Sequence, residues 1–182
     1  IRHHNTDWWG EREPVWDDAD RFQSEHPLEA LFVLLRASIA GTCAIVNPFG
    51  SVLPQNKRAM AFMWEEMDRF STSAKRAIRA YVPYSTRLEA AKASPRERWV
   101  LKSDYGCEGA EVVVGGDVSG DEWNACILHA TAQRWILQER FIAPGENLGV
   151  YLVAGRTAGA YLRIQDGTTN DGARSAPVLV RR

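Results

Sequence analysis

The 182-residue sequence predicts an α+β protein with a largely antiparallel sheet. Three observations support this fold class. Apolar residues in the first half recur at helical spacing, short β-branched runs in the second half are separated by glycine-rich or polar loops, and one capping-box motif interrupts those runs. The expected order is a mainly helical first part, followed by strand, loop, strand, helix and three strands.

The first half of the chain is expected to be mainly helical. Residues 1–25 show no sustained period and are assigned to loop, with at most one short element. Pro27 suits the first position of a helix, and Gly41 suits its end. The elements that follow are a short strand at 44–46, a helix over 57–70 and a shorter helix over 73–81. An apolar stripe on the 57–70 helix is predicted to face the core, and it consists of Met60, Met63, Trp64, Met67 and Phe70.

The second half is expected to carry the sheet. Ser119 and Glu122 form a capping-box signature that starts a helix over 120–132. The residues of that helix expected to point inward are Trp123, Ile127 and Ala130. Strands are expected at 98–102, 110–115, 134–141, 148–154, 158–165 and, after a polar loop, 176–180.

Composition and charge exclude several classes of function. The formal net charge of −1 gives no electrostatic footprint for nucleic acid or an anionic membrane, and no apolar run approaches the roughly 20 residues that span a bilayer. The three cysteines, Cys43, Cys107 and Cys126, are odd in number and lack the CxxC spacing of a zinc site. A reducing cytoplasm is the expected location. The sequence begins with Ile1 rather than methionine, which leaves open that the chain is a fragment of a longer protein.

The segment 99–114, WVLKSDYGCEGAEVVV, carries the main functional signal. An apolar strand delivers Lys102, a glycine-bracketed loop follows, and a β-branched strand leaves. Such a loop can direct backbone N–H groups at an anion beside the lysine charge, which is a way to hold nucleotide phosphates without a P-loop. Gly106 and Gly109 fit both a lid over phosphates and a plain hairpin. Lys102 fits both a phosphate ligand and a solvated lysine at a strand end.

Lys57 offers a second cation, at a probable helix start. A cation there opposes the helix dipole, which costs roughly 0.3–1 kcal/mol unless an anion compensates. This conflict favours a phosphate-facing role for Lys57, and a surface lysine is the alternative.

Four segments in sequence order resemble the circularly permuted ATP-grasp family, in the form seen in glutathionylspermidine synthases. The segment 46–65 resembles the family's Asn-Lys pair that opens a helix, and 99–114 is similar to its Lys-Pro-x-x-Gly-Arg-Glu-Gly loop between two strands. The segment 135–144 resembles the family's Gln-Glu hinge strand. The segment 149–172 resembles its terminal hairpin, which carries an arginine before a Thr/Asn loop.

The chain departs from this family pattern at several points. Ser103 replaces the family's proline, and Cys107 stands where the synthases have an arginine implicated at the reacting phosphate and substrate. Arg163 is followed by Ile164 and Gln165 rather than by the family's Ile-Arg-Glu order. The carboxylates that hold magnesium in the family come from a segment upstream of the matched part, so the metal ligands of this chain are unknown.

The resemblance implies an ATP-grasp-like fold. In it, 1–95 form the mainly helical part of the permuted unit, and 96–182 form the nucleotide-binding lid, hinge and terminal hairpin. It also implies an ATP-dependent ligase that forms an amide bond through an acyl phosphate, with ATP and Mg²⁺ as cofactors. The expected partners are a small-molecule carboxylate and an amine or peptide substrate, with neither nucleic acid nor a membrane.

The resemblance further assigns roles to individual residues. Arg163 would be catalytic by stabilising the transferring group or clamping a carboxylate, and a cross-strand ion pair is the alternative. The segment from Gln138 to Phe141 would seat adenine, and the alternative is an alternating strand with Gln138 and Arg140 outward. The residues expected to bind the nucleotide are Lys57, Lys102, Gly106, Cys107, Glu108, Gly109, Gln138, Glu139 and Phe141.

A non-catalytic nucleotide-binding or scaffold module that kept this fold is the alternative function. Cys107 in place of the arginine and the unplaced magnesium carboxylates motivate it. A structural α+β domain without a phosphate ligand is a third possibility.

Overall fold

The structure is a computed structural model that describes residues 15–17, 29–44, 52–89, 92–106, 109, 111–142, 144–166 and 172–179. Outside these ranges lie most of the expected loop over 1–25, all but Ala44 of the strand expected at 44–46, and Cys107 and Glu108. The helices are α1 (Glu29–Ile39), α2 (Val52–Gln55), α3 (Arg58–Glu65), α4 (Thr72–Tyr81) and α5 (Gly120–His129). The strands are β1 (Ser85–Arg87), β2 (Trp99–Ser103), β3 (Val112–Val114), β4 (Trp135–Glu139), β5 (Glu146–Val153), β6 (Arg156–Ile164) and β7 (Arg174–Pro177).

Local side-chain bonds set the helix boundaries close to where the sequence predicts them. The Ser119 side chain accepts a hydrogen bond from the Glu122 N–H at 3.2 Å, so Ser119 caps the start of α5 where the sequence predicts it. Ser71 caps α4 in the same way. The helix predicted over 57–70 is shorter than expected, because the residue after α3 leaves the helical conformation at φ −106° and ψ 31°. A 3₁₀ turn, Met67–Arg69, continues the chain.

Four antiparallel strands form the first sheet, in the order β1-β4-β2-β3. The sequence prediction missed β1, because three residues of the type Ser-Thr-Arg are too few and too polar to show a strand pattern. This strand lies within 1–95, the part predicted to be mainly helical, and it pairs with β4 from the second part. The two predicted parts of the chain therefore share one sheet.

One face of this sheet forms the main core. Trp99 and Leu101 from β2 and Trp135 and Leu137 from β4 point to this face, where they pack with Trp123 of α5. The predicted inward orientation of Trp123 is confirmed. The other two residues expected to point inward, Ile127 of α5 and Ala130 immediately after it, are partly buried against the same core.

The opposite face of the sheet is covered by α3. It carries Val100 and Lys102 from β2 with Ile136 and Gln138 from β4, since residues two apart in a strand share a face. Helix α3 contacts β1 and β4, and its Ala61 is completely buried. The methionine and aromatic stripe predicted for this helix is half-buried rather than fully buried. The sheet thus lies between α3 on one side and α5 on the other.

Three antiparallel strands form the second sheet, in the order β5-β6-β7. The hairpin of β5 and β6 turns at Ala154 and Gly155, which both have positive φ (50° and 74°). Gly149 lies opposite Tyr161, whose ring leaves no room for a Cβ atom at that position. Most side chains of β5 and β6 are exposed.

The fold class is therefore α+β with mainly antiparallel sheets, as predicted. Within the described ranges, no helix combines the length and the apolar character needed to cross a bilayer.

Candidate anion-binding site

Lys102 lies half-buried on the α3 side of β2. It sits opposite Ile136 of β4, and Gln138, two residues further along β4, shares its face. The Lys102 Nζ donates a hydrogen bond to Gln138 Oε1 at 2.6 Å. Lys102 is therefore not the solvated strand-end lysine that the sequence left as an alternative.

Gln138 is a buried side chain that orients Lys102. Its side-chain nitrogen donates to Ser85 Oγ at 3.1 Å and to Met60 Sδ at 3.3 Å, and the residue is 3% exposed. Because the amide hydrogens are directed at these two acceptors, the amide oxygen faces the lysine. The alternative that placed Gln138 outward is wrong, because β4 is an inner strand and α3 covers this face.

Lys57 immediately precedes α3 and reaches the same region from the helix side. Its backbone N–H donates to the Asp104 carbonyl at 2.8 Å, and its Nζ donates to the Gly106 carbonyl in the loop after β2. Lys57 is half-buried. We call Lys57, Lys102, Gln138 and the Gly106 carbonyl the lysine site.

At the lysine site, two lysine ammonium groups act on one another. Burial lowers the pKa of the Lys102 ammonium, and the positive charge of Lys57 lowers that pKa further. In the part of the chain that the structure describes, Lys102 forms no ion pair, and its hydrogen-bond partner Gln138 is neutral. A partly desolvated ammonium beside a second ammonium is electrostatically unfavourable, and an anion at this place would relieve the repulsion.

The loop after β2 is held by its own side chains. Ser103 Oγ accepts a hydrogen bond from the Gly106 N–H at 2.9 Å and donates one to Glu111 Oε2 at 2.5 Å. Gly109 has a φ of 81°, a conformation that glycine adopts without strain. The two predicted loop glycines thus differ, since Gly106 belongs to the lysine site and Gly109 lies at an exposed turn.

A buried ion pair joins this loop to the residue before β4. Arg134 Nε lies 2.5 Å from Asp104 Oδ2, and Arg134 Nη2 lies 3.0 Å from Asp104 Oδ1. The two side chains are 14% and 5% exposed, respectively. Sequence reasoning missed this pair, because the residues are 30 positions apart and no local pattern links them.

The segment predicted to seat adenine covers the end of the inner strand β4 and the two residues that follow it, and two of its backbone N–H groups donate to neighbouring segments. The Glu139 N–H donates to the Tyr84 carbonyl at 2.8 Å, and the Arg140 N–H donates to the Arg98 carbonyl at 2.7 Å. The Glu139 side chain forms an exposed ion pair with Arg98 at 3.3 Å, and Phe141 is exposed. Adenine binding by this segment stays a prediction.

The structure brings some of the predicted site residues together. Lys57, Lys102, Gly106 and Gln138 come together in the lysine site. Arg163 instead lies in β6 of the second sheet, so its catalytic role stays a prediction.

No magnesium site emerges from the described residues. Among them, no group of three or more His, Cys, Asp or Glu side chains could hold a metal ion. A cleft of 560 Å³ lies between α5 and the segment 93–97, and its lining includes Arg96, Trp123 and Asn124. None of the predicted site residues lines this cleft, and we assign no function to it.

Comparison of the chain with protein-family models, with curated proteins and with solved structures finds no match. The ATP-grasp resemblance therefore depends on the four sequence segments alone.

Proposed function

We propose that the protein binds the phosphates of ATP at the lysine site. The observation that carries this proposal is the convergence of Lys57 and Lys102, from two different elements, at a half-buried place. A lysine ammonium is a compact point charge suited to phosphate oxygens. Partial burial strengthens its attraction for an anion, because the surroundings screen charge less than water does.

We further propose that the bound ATP drives ligation of a carboxylate to an amine, as the sequence resemblance implies. In this reaction the γ-phosphoryl group moves to a carboxylate oxygen while its bond to the β-phosphate oxygen breaks and ADP leaves. The amine nitrogen then bonds to the acyl carbon, loses a proton and displaces inorganic phosphate. Such chemistry requires positioning and neutralisation of charge rather than an activated nucleophile on the protein. Lys57 and Lys102 would neutralise phosphate charge, and Arg163 would act on the transferring group.

The second candidate is a nucleotide-binding module without catalysis, and Cys107 in place of the family's arginine motivates it. Such a module would use the same lysine site and would bind ATP without turnover.

Calorimetric titration with ATP and magnesium tests the binding proposal. The variants are Lys57→Met and Lys102→Met, and the matched control is Lys92→Met, which removes an exposed ammonium paired with Glu89 at 3.0 Å. A hydrogen bond to a charged group is worth about 1.5–3 kcal/mol, so each lysine-site variant should weaken ATP binding by about tenfold or more. The Lys92 variant should bind like the wild type. Equal affinity in all four proteins, or no binding by the wild type, would contradict the proposal.

Phosphate release distinguishes the two candidate functions. The wild type is assayed with ATP, magnesium and panels of carboxylic acids and amines. Release that needs both an acid and an amine supports the ligase, whereas ATP binding without release under any combination supports the module.

A further inference from the structure

The burial of the Asp104–Arg134 ion pair is by itself weak evidence for a role in stability. Removing two charges from water costs several kcal/mol for each ion, so a buried pair often contributes no more to stability than apolar side chains of similar size. Its geometry is nevertheless specific, because two different guanidinium nitrogens of Arg134 contact the two carboxylate oxygens of Asp104. The side chain of Asp104 is thereby held in one orientation.

Asp104 connects three segments of the chain. Its N–H donates to the Arg134 carbonyl at 2.8 Å, and its own carbonyl accepts the backbone N–H of Lys57 at 2.8 Å. Its carboxylate also accepts the N–H of Tyr105 at 2.9 Å, at the start of the loop. Lys102 lies two residues before Asp104 in the chain. One residue therefore links the backbone positions of both lysines.

We propose that the Asp104–Arg134 pair is a positioning element that holds Lys57 beside Lys102. The effect of this positioning on phosphate binding rests on the proposed function. Arg134 fixes the Asp104 side chain, and the Asp104 carbonyl in turn fixes the first residue before α3. Both members of the pair are positioning residues, which act on ATP through Lys57 rather than by touching it.

The first test is made on the free protein and needs no nucleotide. NMR titration of ¹³C-labelled lysine side chains gives the pKa of Lys102 in the wild type, Lys57→Met and Asp104→Asn. The charge of Lys57 lowers this pKa, so its removal in Lys57→Met raises the value. Displacement of Lys57 in Asp104→Asn should raise the pKa in the same direction. Loss of the Asp104 charge by itself would lower the pKa, so the sign separates the two effects.

A matched control tests whether loss of any aspartate in an ion pair has this effect. Asp117 pairs with Arg140 at 3.0 Å, but both side chains are substantially exposed. Asp117→Asn should leave the pKa of Lys102 and the affinity for ATP unchanged.

The second test is a double-mutant cycle in ATP affinity. Asp104→Asn should weaken binding by about tenfold, comparable to Lys57→Met, since both remove the same contact. The double variant should bind no more weakly than Lys57→Met, because the pair acts through Lys57. A merely structural role would instead give additive losses, and additive losses would overturn the proposal.

A second variant covers the case in which Asp104→Asn fails to fold. Asp104→Asn combined with Arg134→Met removes both charges and leaves neither unpaired. If the pKa of Lys102 rises in Lys57→Met but stays at the wild-type value in the folded Asp104→Asn/Arg134→Met variant, which loses one negative and one positive charge, the positioning role is overturned and the proposed function stands. If that pKa rises in both, while ATP binds equally to the wild type and Lys57→Met, the positioning of Lys57 stands and the ATP proposal is overturned.

Discussion

The two sheets of this protein differ in how they are covered. The four-stranded sheet lies between α3 and α5, and Trp135, Ile136 and Leu137 of its inner strand are all 0% exposed. In the three-stranded sheet, β5 has exposed side chains along most of its length, with Tyr151 57% exposed. A polar residue in a sheet that is buried on both faces has fixed protein neighbours, whereas a polar residue in an exposed sheet is surrounded by water.

This difference explains why the lysine site has a defined geometry. Gln138 has each polar atom of its side chain directed at a named partner, because the strands and α3 surround it. Arg163, the residue predicted to be catalytic, is half-buried in the more exposed sheet. We therefore expect the same residues of the covered sheet to determine both the free energy of folding and the free energy of anion binding.

The largest expected effect comes from truncating one aromatic residue in each sheet. Trp135→Ala should lower the free energy of unfolding by about 3–5 kcal/mol, because it empties a fully buried site. Tyr151→Ala removes an exposed ring whose centroid lies 5.5 Å from that of Tyr161, and it should cost about 1 kcal/mol or less. Urea denaturation measures both. Equal losses would show that the two sheets are not covered differently.

A smaller effect is expected from removing one amide in each sheet. Gln138→Leu leaves the Lys102 ammonium without its acceptor, and it should cost about 1.5–3 kcal/mol and lower the pKa of Lys102 further. Asn147→Leu is the matched change at an exposed position of β5 and should stay within about 0.5 kcal/mol. Denaturation curves together with the lysine titration check both values. If the Gln138 variant were as stable as the Asn147 variant, the Gln138 amide would not stabilise the Lys102 ammonium.

The smallest expected effect is a dependence of stability on alkaline pH. In the unfolded chain a lysine keeps its proton up to a pKa near 10.5, whereas folded Lys102 releases its proton at lower pH. Between the two pKa values the unfolded chain binds more protons, so the free energy of unfolding should rise with pH. Lys102→Met should lack this contribution, and the difference between the two proteins isolates it. Parallel curves for the two proteins would show that the folded protein does not perturb Lys102.

The sequence was informative about the strands of both sheets. The β-branched and apolar runs predicted β2 to β7 to within three residues at each end, and Ser119 located the start of α5. These signals are local, because alternation, caps and glycines act over a few residues. The short polar strand β1 carried no such signal and was missed.

Such local signals do not predict the contacts within the candidate site. Helix-dipole and loop arguments pointed separately to Lys57 and Lys102, which are 45 positions apart, and only the packing of α3 on the sheet brings them together. The partner of Lys102, Gln138, and the Asp104–Arg134 pair depend on strand order in the same way. Strand order is a tertiary property that hydrophobic periodicity does not encode.

The central claim, that Lys57 and Lys102 receive the phosphates of ATP, is tested most directly by the pKa of Lys102 in the free and ATP-saturated protein. NMR titration of ¹³C-labelled lysine side chains gives both values. A phosphate beside the ammonium favours its charged form, so the pKa of Lys102 should rise on binding. A pKa of Lys102 that is the same with and without bound ATP would contradict the account.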